Sequence, residues 1–381
     1  MGFITLASLI LTILSFMYLF LTGVNKYVLH QKIKDFKLKV IISFSFVILF
    51  WLLTYSLNTV HERIQNPYIN SNNIAEYSGT LGDLVGGTLN PILGLFGIIV
   101  GGLAFYAQYQ ANKQIQDQFK IQQFESHFYE MLRLHKENVN EIEIEIIDFI
   151  YSGLDGIGGD GNYTKKNIKI KGRDVFIYFA NELEIAFNIY LYYLENNQIS
   201  DFDFTLPYKA FFNGINNPNV NIHFFEKLKI EVGFFENRYM NNHNDDPFFR
   251  VNIKSKYKLF QGHENMLGHY YRHLFHTVKF ITEQNIAFIP YKEKRKYLRL
   301  LRAQLSNYEQ AMLFYNYLAY ARDWEEGNKF LTDYRMIHNL YENILIDDNY
   351  FKEELDKLKQ KQGEVLYYKD NDHIFESQKW E

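Results

Sequence analysis

The 381-residue chain contains no cysteine. That absence excludes a disulfide scaffold, a thiolate nucleophile, cysteine-ligated zinc and an iron–sulfur cluster. Charge is missing too, but locally: none occurs from Met1 to Asn25, from Val40 to Leu57, or from Leu84 to Asn112. A mean hydropathy of −0.26 over the whole chain would suggest a water-soluble protein, yet these three runs concentrate uncharged residues near the N-terminus. The net charge of −4 hides the same partition, because residues 1–110 hold six Lys/Arg against four Asp/Glu and the remainder holds 34 against 40. Aromatic residues are plentiful: 30 Tyr, 34 Phe and 3 Trp exclude wholesale disorder. At about 150 residues per domain, the length suits two to three units with a sizeable core.

About 20 apolar residues cross the hydrocarbon of a bilayer. Phe3 to Val24 therefore reads as a first transmembrane helix; a cleaved signal peptide is disfavoured, because there is no basic leading segment and no small-residue cleavage site. Val40 to Leu57 reads as a second, with Trp51 and Tyr55 near its far end, where amphipathic rings favour the headgroup level. Between these two lie Lys26, Lys32, Lys34, Lys37 and Lys39 opposed only by Asp35, whereas residues 58–83 carry Arg63 as their single strong cation. The positive-inside rule puts the lysine loop in the cytoplasm and the asparagine-rich loop outside. Helices are expected over 3–24, 40–57 and 84–109, with the N-terminus outside and everything beyond about residue 110 in the cytoplasm.

The third run differs from the others in carrying Gly86, Gly87, Asn90, Pro91, Gly94, Gly97, Gly101 and Gly102. Glycine lets helix backbones approach closely, and Gly97 with Gly101 forms a small-xxx-small pattern. One reading is packing against neighbouring membrane helices. The other is a helix break at Asn90–Pro91, with the freed backbone groups lining a cavity or a subunit interface.

Residues 104–150 lack both glycine and proline, which predicts a helical stalk over 110–150 leaving the membrane. A glycine-rich flexible loop is expected over 151–172; its segment Gly153–Gly161 lacks the Gly-Lys-Ser/Thr ending of a phosphate loop. An α-helical cytoplasmic domain is expected over 173–381. Within it, Val175, Phe179, Leu183, Ala186, Phe187, Tyr190 and Leu194 mark one side of a helix from Gly172 to Asn196. Residues 201–260 read as irregular connections and short helices packed by Phe pairs. From Asn265 to Gln284 two faces separate at 100° per residue. Leu267, Tyr271, Leu274, Val278 and Ile281 form the apolar face, and His269, Arg272, His273 and His276 the opposite one. After Pro290 a single helix is expected from Tyr291 to Tyr320, its seam running from Leu298 to Ala319. Arg302, Glu309 and Asn316, seven apart beside that seam, are expected to be half buried as a polar network that needs partners. Beyond Asp347 a charged helix and a tail follow.

Four stretches together carry a resemblance: Gly82-Asp-Leu-Val-Gly-Gly-Thr-Leu-Asn-Pro91, Gly268-His-Tyr-Tyr-Arg-His-Leu-Phe-His276, Leu301-Arg-Ala-Gln-Leu-Ser-Asn-Tyr-Glu309, and Leu313-Phe-Tyr-Asn316. On them the chain, from about residue 80 to 345, resembles the bacterial membrane-associated family of phage abortive infection proteins. The resemblance implies a role in antiphage defence, in which an infected cell is halted or harmed before the phage spreads. It implies no known catalytic chemistry.

The fold class expected is thus a mostly α membrane protein, with three N-terminal transmembrane helices followed by a mainly α-helical cytoplasmic domain in the bacterial inner membrane. Its expected partners are the lipid bilayer, further copies of itself, a phage-derived or host trigger and, on the nuclease reading below, RNA; no cofactor or metal is expected. The leading mechanism is a membrane effector whose cytoplasmic domain senses infection. A second is a tethered ribonuclease similar to the all-helical HEPN class, which cuts RNA without metal using an Arg and a His on one helix. Arg272 and His276, with His269 and His273, supply the residue types, although three residues separate the pair where that class has four to six. A scaffold that recruits another protein is the third. A zinc pair at His269 and His273 is disfavoured, since Arg272 would repel a cation and no carboxylate completes the set.

Overall fold

The computed structural model describes residues 51, 54, 55, 58, 74–152, 162–196, 199, 201–216, 223–240, 258–361 and 372–376. The first hydrophobic run, the lysine loop, nearly all of the second run and the Gly153–Gly161 segment lie outside them. The protein is mostly helical and divides into two compact units, Met1–Ile121 and Gln122–Glu381.

Helix α1 (Ile74–Glu141) contains the third hydrophobic run, and its segment Leu93–Glu141 includes a window long and apolar enough to cross a membrane. It is the one helix of that kind among the described residues; three such helices are not found there, so a three-span anchor does not rest on the structure. Nor does the chain break at Asn90–Pro91, because α1 continues through Pro91. Proline costs a helix one hydrogen bond and crowds the preceding turn, where Gly86 and Gly87 leave room. A side chain placed at Gly97 or Gly101 would meet nothing within 4 Å.

The second unit begins inside α1, whose later turns bury Phe124, Phe128 and Val139; Ile142, directly after the helix, is buried too. Phe124 stacks on Phe280 at 5.2 Å between ring centres, and the Tyr297 hydroxyl donates to Glu125 at 2.8 Å. The helical stalk expected to reach residue 150 ends earlier. Glu143–Ser152 is strand β1, paired antiparallel with β2 (Asn162–Lys171), so strands stand where a stalk end and a flexible loop were expected. The physical reason is a period of two: Ile142, Ile144 and Ile146 alternate with glutamates and are buried. Across the ladder Ile144 faces Ile170 and Ile146 faces Ile168. Glu143 bonds both Lys169 and Lys171 at 2.5 Å, which holds its carboxyl down to about 2.

Beyond the hairpin come α2 (Val175–Glu195), α3 (Thr205–Asn213), α4 (His223–Met240), α5 (Glu264–Thr282), α6 (Tyr291–Arg302), α7 (Asn307–Ala319) and α8 (Asn349–Gln360). Helix α2 buries Val175, Phe179, Leu183, Ala186, Phe187 and Tyr190 of the side read from its spacing, leaves Leu194 half-buried, and packs on α3, α4 and α7. In α7 every residue from Glu309 to Ala319 is buried, which makes it the central helix. One long helix from Tyr291 to Tyr320 does not form. The chain turns at Ala303–Leu305 and restarts at Ser306, whose side chain accepts from the Glu309 amide while the Glu309 carboxylate accepts from the Ser306 amide. This reciprocal pair satisfies two donors that a helix start would otherwise leave open, so it ends one seam and begins another.

Candidate functional site

Helix α5 is fixed from both ends of its apolar face. At its start, Gly262 has φ +88° and the His263 amide donates to the Phe212 carbonyl at 2.7 Å. The His263 ring bonds Glu182 at 2.7 Å, deep in the core. Along the helix Leu267, Leu274, Val278 and Ile281 are fully buried, and the Tyr271 hydroxyl donates to the Met312 carbonyl at 3.1 Å. With that side locked, the opposite side has a set direction. It presents His269, Arg272 and His276 exposed and His273 half-buried.

These four residues do not point into open solvent alone. They line one groove of about 580 Å³ with Asn138, Glu141 and Ile142 at the end of α1, and Asn265 and Met266 in the first turn of α5. Arg272 makes no ion pair among the described residues, and Glu141 is the single carboxylate in the lining. Beside His273 lies His135 of α1, with ring centres 6.1 Å apart and planes within 20°. His135 is 1% exposed, and among the described residues neither of its ring nitrogens has a hydrogen-bond partner; the Nδ1 of His273 has none either. Burial, then the neighbouring His273 and Arg173, push His135 down to about 4. Burial and His276 lower His273 as well. Two neutral imidazoles therefore sit side by side at neutral pH. No three His, Asp or Glu among the described residues are placed to hold a metal ion.

Arg302, Glu309 and Asn316 are buried more deeply than half, and they do not form one network. Arg302 donates to Asn339 Oδ1 at 2.7 Å and to the Arg335 carbonyl at 2.8 Å. Glu309 caps α7, accepts from the Tyr270 hydroxyl at 3.3 Å and lies 3.7 Å from Arg173 Nε. Asn316 donates to the Tyr208 hydroxyl at 2.9 Å. Each anchors a different neighbour of the central helices.

Of the groove, sequence reasoning found the α5 side and missed the α1 side. A signal was present, since Phe124, Phe128, Leu132, His135, Val139 and Ile142 recur every three or four residues, with one polar member in an otherwise apolar seam. Asn138 and Glu141 flank that seam.

Residues 262–344 match the family model of the Putative phage abortive infection protein. The matched segment runs from the start of α5 through α6 and α7, and it includes three of the four stretches that carry the resemblance; the Gly82–Pro91 stretch lies outside it. The match bears out the suspected family and supports a role in phage defence. No curated protein and no solved structure matches the chain.

Proposed function

We propose that this protein is a membrane-anchored effector of phage defence whose second unit receives an infection cue at the His/Arg groove. One observation carries the reading: the groove joins the His/Arg face of α5, inside the family match, to the last turns of α1, the helix that contains the apolar run. An occupant of the groove therefore touches both the matched segment and the end of the membrane-competent helix. Two packed helices with a ligand between them can be biased toward a second arrangement by differential binding. In this reading the chain lies in the bacterial plasma membrane with three crossings and its larger unit in the cytoplasm. Copies of it meet at the small-residue face of Gly97 and Gly101.

The test is a phage plating assay in cells expressing the full chain, its Arg272→Ala variant or its Arg299→Ala variant. Arg299 is exposed on α6 and is not part of the groove. Protection should fall at least tenfold for Arg272→Ala and stay unchanged for Arg299→Ala at equal protein levels. Full protection by Arg272→Ala would remove the groove from the mechanism. Membrane potential and RNA integrity, followed in the same infected cells, separate membrane action from nuclease action: loss of potential with intact RNA is the expected outcome.

A further inference from the structure

The groove's donors are unevenly matched to its acceptors. Arg272, His269, His273 and His276 line it, and Glu141 is the only acid among the lining residues. A planar guanidinium without an ion pair offers a fork of parallel N–H donors that suits oxyanions. Imidazoles one turn before and after it, at 269 and 276, and one beside it, at 273, add further N–H donors along the same lining. A carboxylate has two coplanar oxygens, which the fork alone satisfies; a phosphoryl group has oxygens on several sides and uses donors that converge from more than one direction. The volume, about 580 Å³, lies in the range of pockets that take a small organic molecule rather than a bare ion. The remaining lining supports that size: Ile142 and Met266 give an apolar patch, and Asn138 and Asn265 give amides that can pair with a polar ring or a sugar.

Building on the groove as the receiver of the infection cue, we propose that its ligand is a small organic phosphate of nucleotide size. The phosphoryl group sits on Arg272 with the imidazoles of His273 and His276, and the remainder of the ligand lies toward Ile142 and Met266. His273, the half-buried member of the lining, packs against the buried ring of His135 behind it, which fixes the direction from which its imidazole meets the anion.

Equilibrium dialysis of the full chain in detergent micelles tests this, with radiolabelled inorganic phosphate and radiolabelled AMP as separate probes. AMP should bind saturably at one site per chain, and inorganic phosphate should displace it. Adenosine, which lacks the anion, should not. Tighter binding of AMP than of inorganic phosphate places the organic part in the groove; equal binding overturns the nucleotide-sized ligand. Arg272→Lys keeps the charge but loses the fork, and it should weaken AMP binding at least tenfold, whereas Arg299→Lys should not change it. His276→Ala, also at an exposed position, provides a second variant that leaves the core untouched. Absence of saturable AMP binding, or undiminished binding in both groove variants, overturns the proposal. Failure of the ligand and failure of the groove's role give different patterns. Lost protection in Arg272→Ala, with no AMP binding by the unaltered chain, keeps the groove and removes the phosphate. Lost AMP binding with full protection keeps the phosphate site and removes it from defence.

Discussion

A buried imidazole with neither nitrogen satisfied is costly, and His135 is such a group among the described residues, with the rings of Tyr270 and His273 beside it. Its consequence for stability has a definite sign. The folded state holds the ring near a pKa of 4, whereas the unfolded chain titrates at the ordinary 6.5, so between those values the unfolded chain binds the extra proton. Stability from this group is therefore complete above about pH 6.5 and is lost as pH falls toward 4, at about 1.4 kcal/mol per pH unit. His135→Phe keeps an aromatic body and removes the titration. From pH 7 to pH 5 the unaltered chain should lose about 2 kcal/mol more than the variant, read from denaturation curves in detergent. Parallel losses in the two proteins would show that His135 is protonated in the fold. The same residue illustrates why the site was only half legible. Histidines on the outer face of α5 are visible as a stripe in one helix, while a histidine that replaces an apolar seam position on α1 comes to lie behind the site, against His273, only when the two helices meet.

At the scale of elements, local signals that compete with a long period decided the outcome. The helix expected from Tyr291 to Tyr320 had an apolar spacing that continued across Ala303–Leu305, but Ser306 and Glu309 form a capping box that was written in the sequence as Ser-Asn-Tyr-Glu. Likewise the absence of Gly and Pro from 104 to 150 favoured one helix, while the strict Glu–Ile alternation from Glu141 to Ile146, answered by Lys and Ile at 168–171, is a strand signal. Helices α2 and α5 were legible because only one period fits them. What no spacing could reveal is the crossing of two chain segments at Gly214 and Gly262, which have φ of +81° and +88°. A Cβ at Gly214 would lie 2.9 Å from the Gln261 carbonyl carbon, and one at Gly262 would lie 2.7 Å from the Asn213 carbonyl oxygen. Both contacts are with backbone, which cannot swing aside as a side chain can. Gly262→Ala should therefore cost about 1–3 kcal/mol from backbone conformation alone, with the close contact added to it. Because this crossing sets the start of α5, the variant should also lower protection against phage. A thermal melt and a plating assay check both effects, and an unchanged melting temperature would mean that the crossing can open without cost.

At the scale of the molecule, the uneven distribution of charge is the property that organises everything else, and it leads to a test that the cysteine-free sequence makes simple. The apolar window in α1 can cross a bilayer by length and composition, and the uncharged run ends at Asn112, followed by Lys113. The side of the membrane on which each end lies is argued from lysine: five in residues 26–39 against one arginine in residues 58–83. A chain without native thiols gives no background to maleimide labelling, so single cysteines report their own side. Asn72→Cys, just before α1, should react with a membrane-impermeant maleimide in intact spheroplasts. Lys113→Cys, just after the uncharged run, should react only once the membrane is opened. If both react from outside, the larger unit faces away from the cytoplasm and cannot meet a cue made there. If both are protected until lysis, the third run does not cross, and the groove's link to the membrane is reduced to the covalent connection through α1. The expected result, one cysteine on each side, would place the end of α1, and with it the proposed phosphate site, in the cytoplasm.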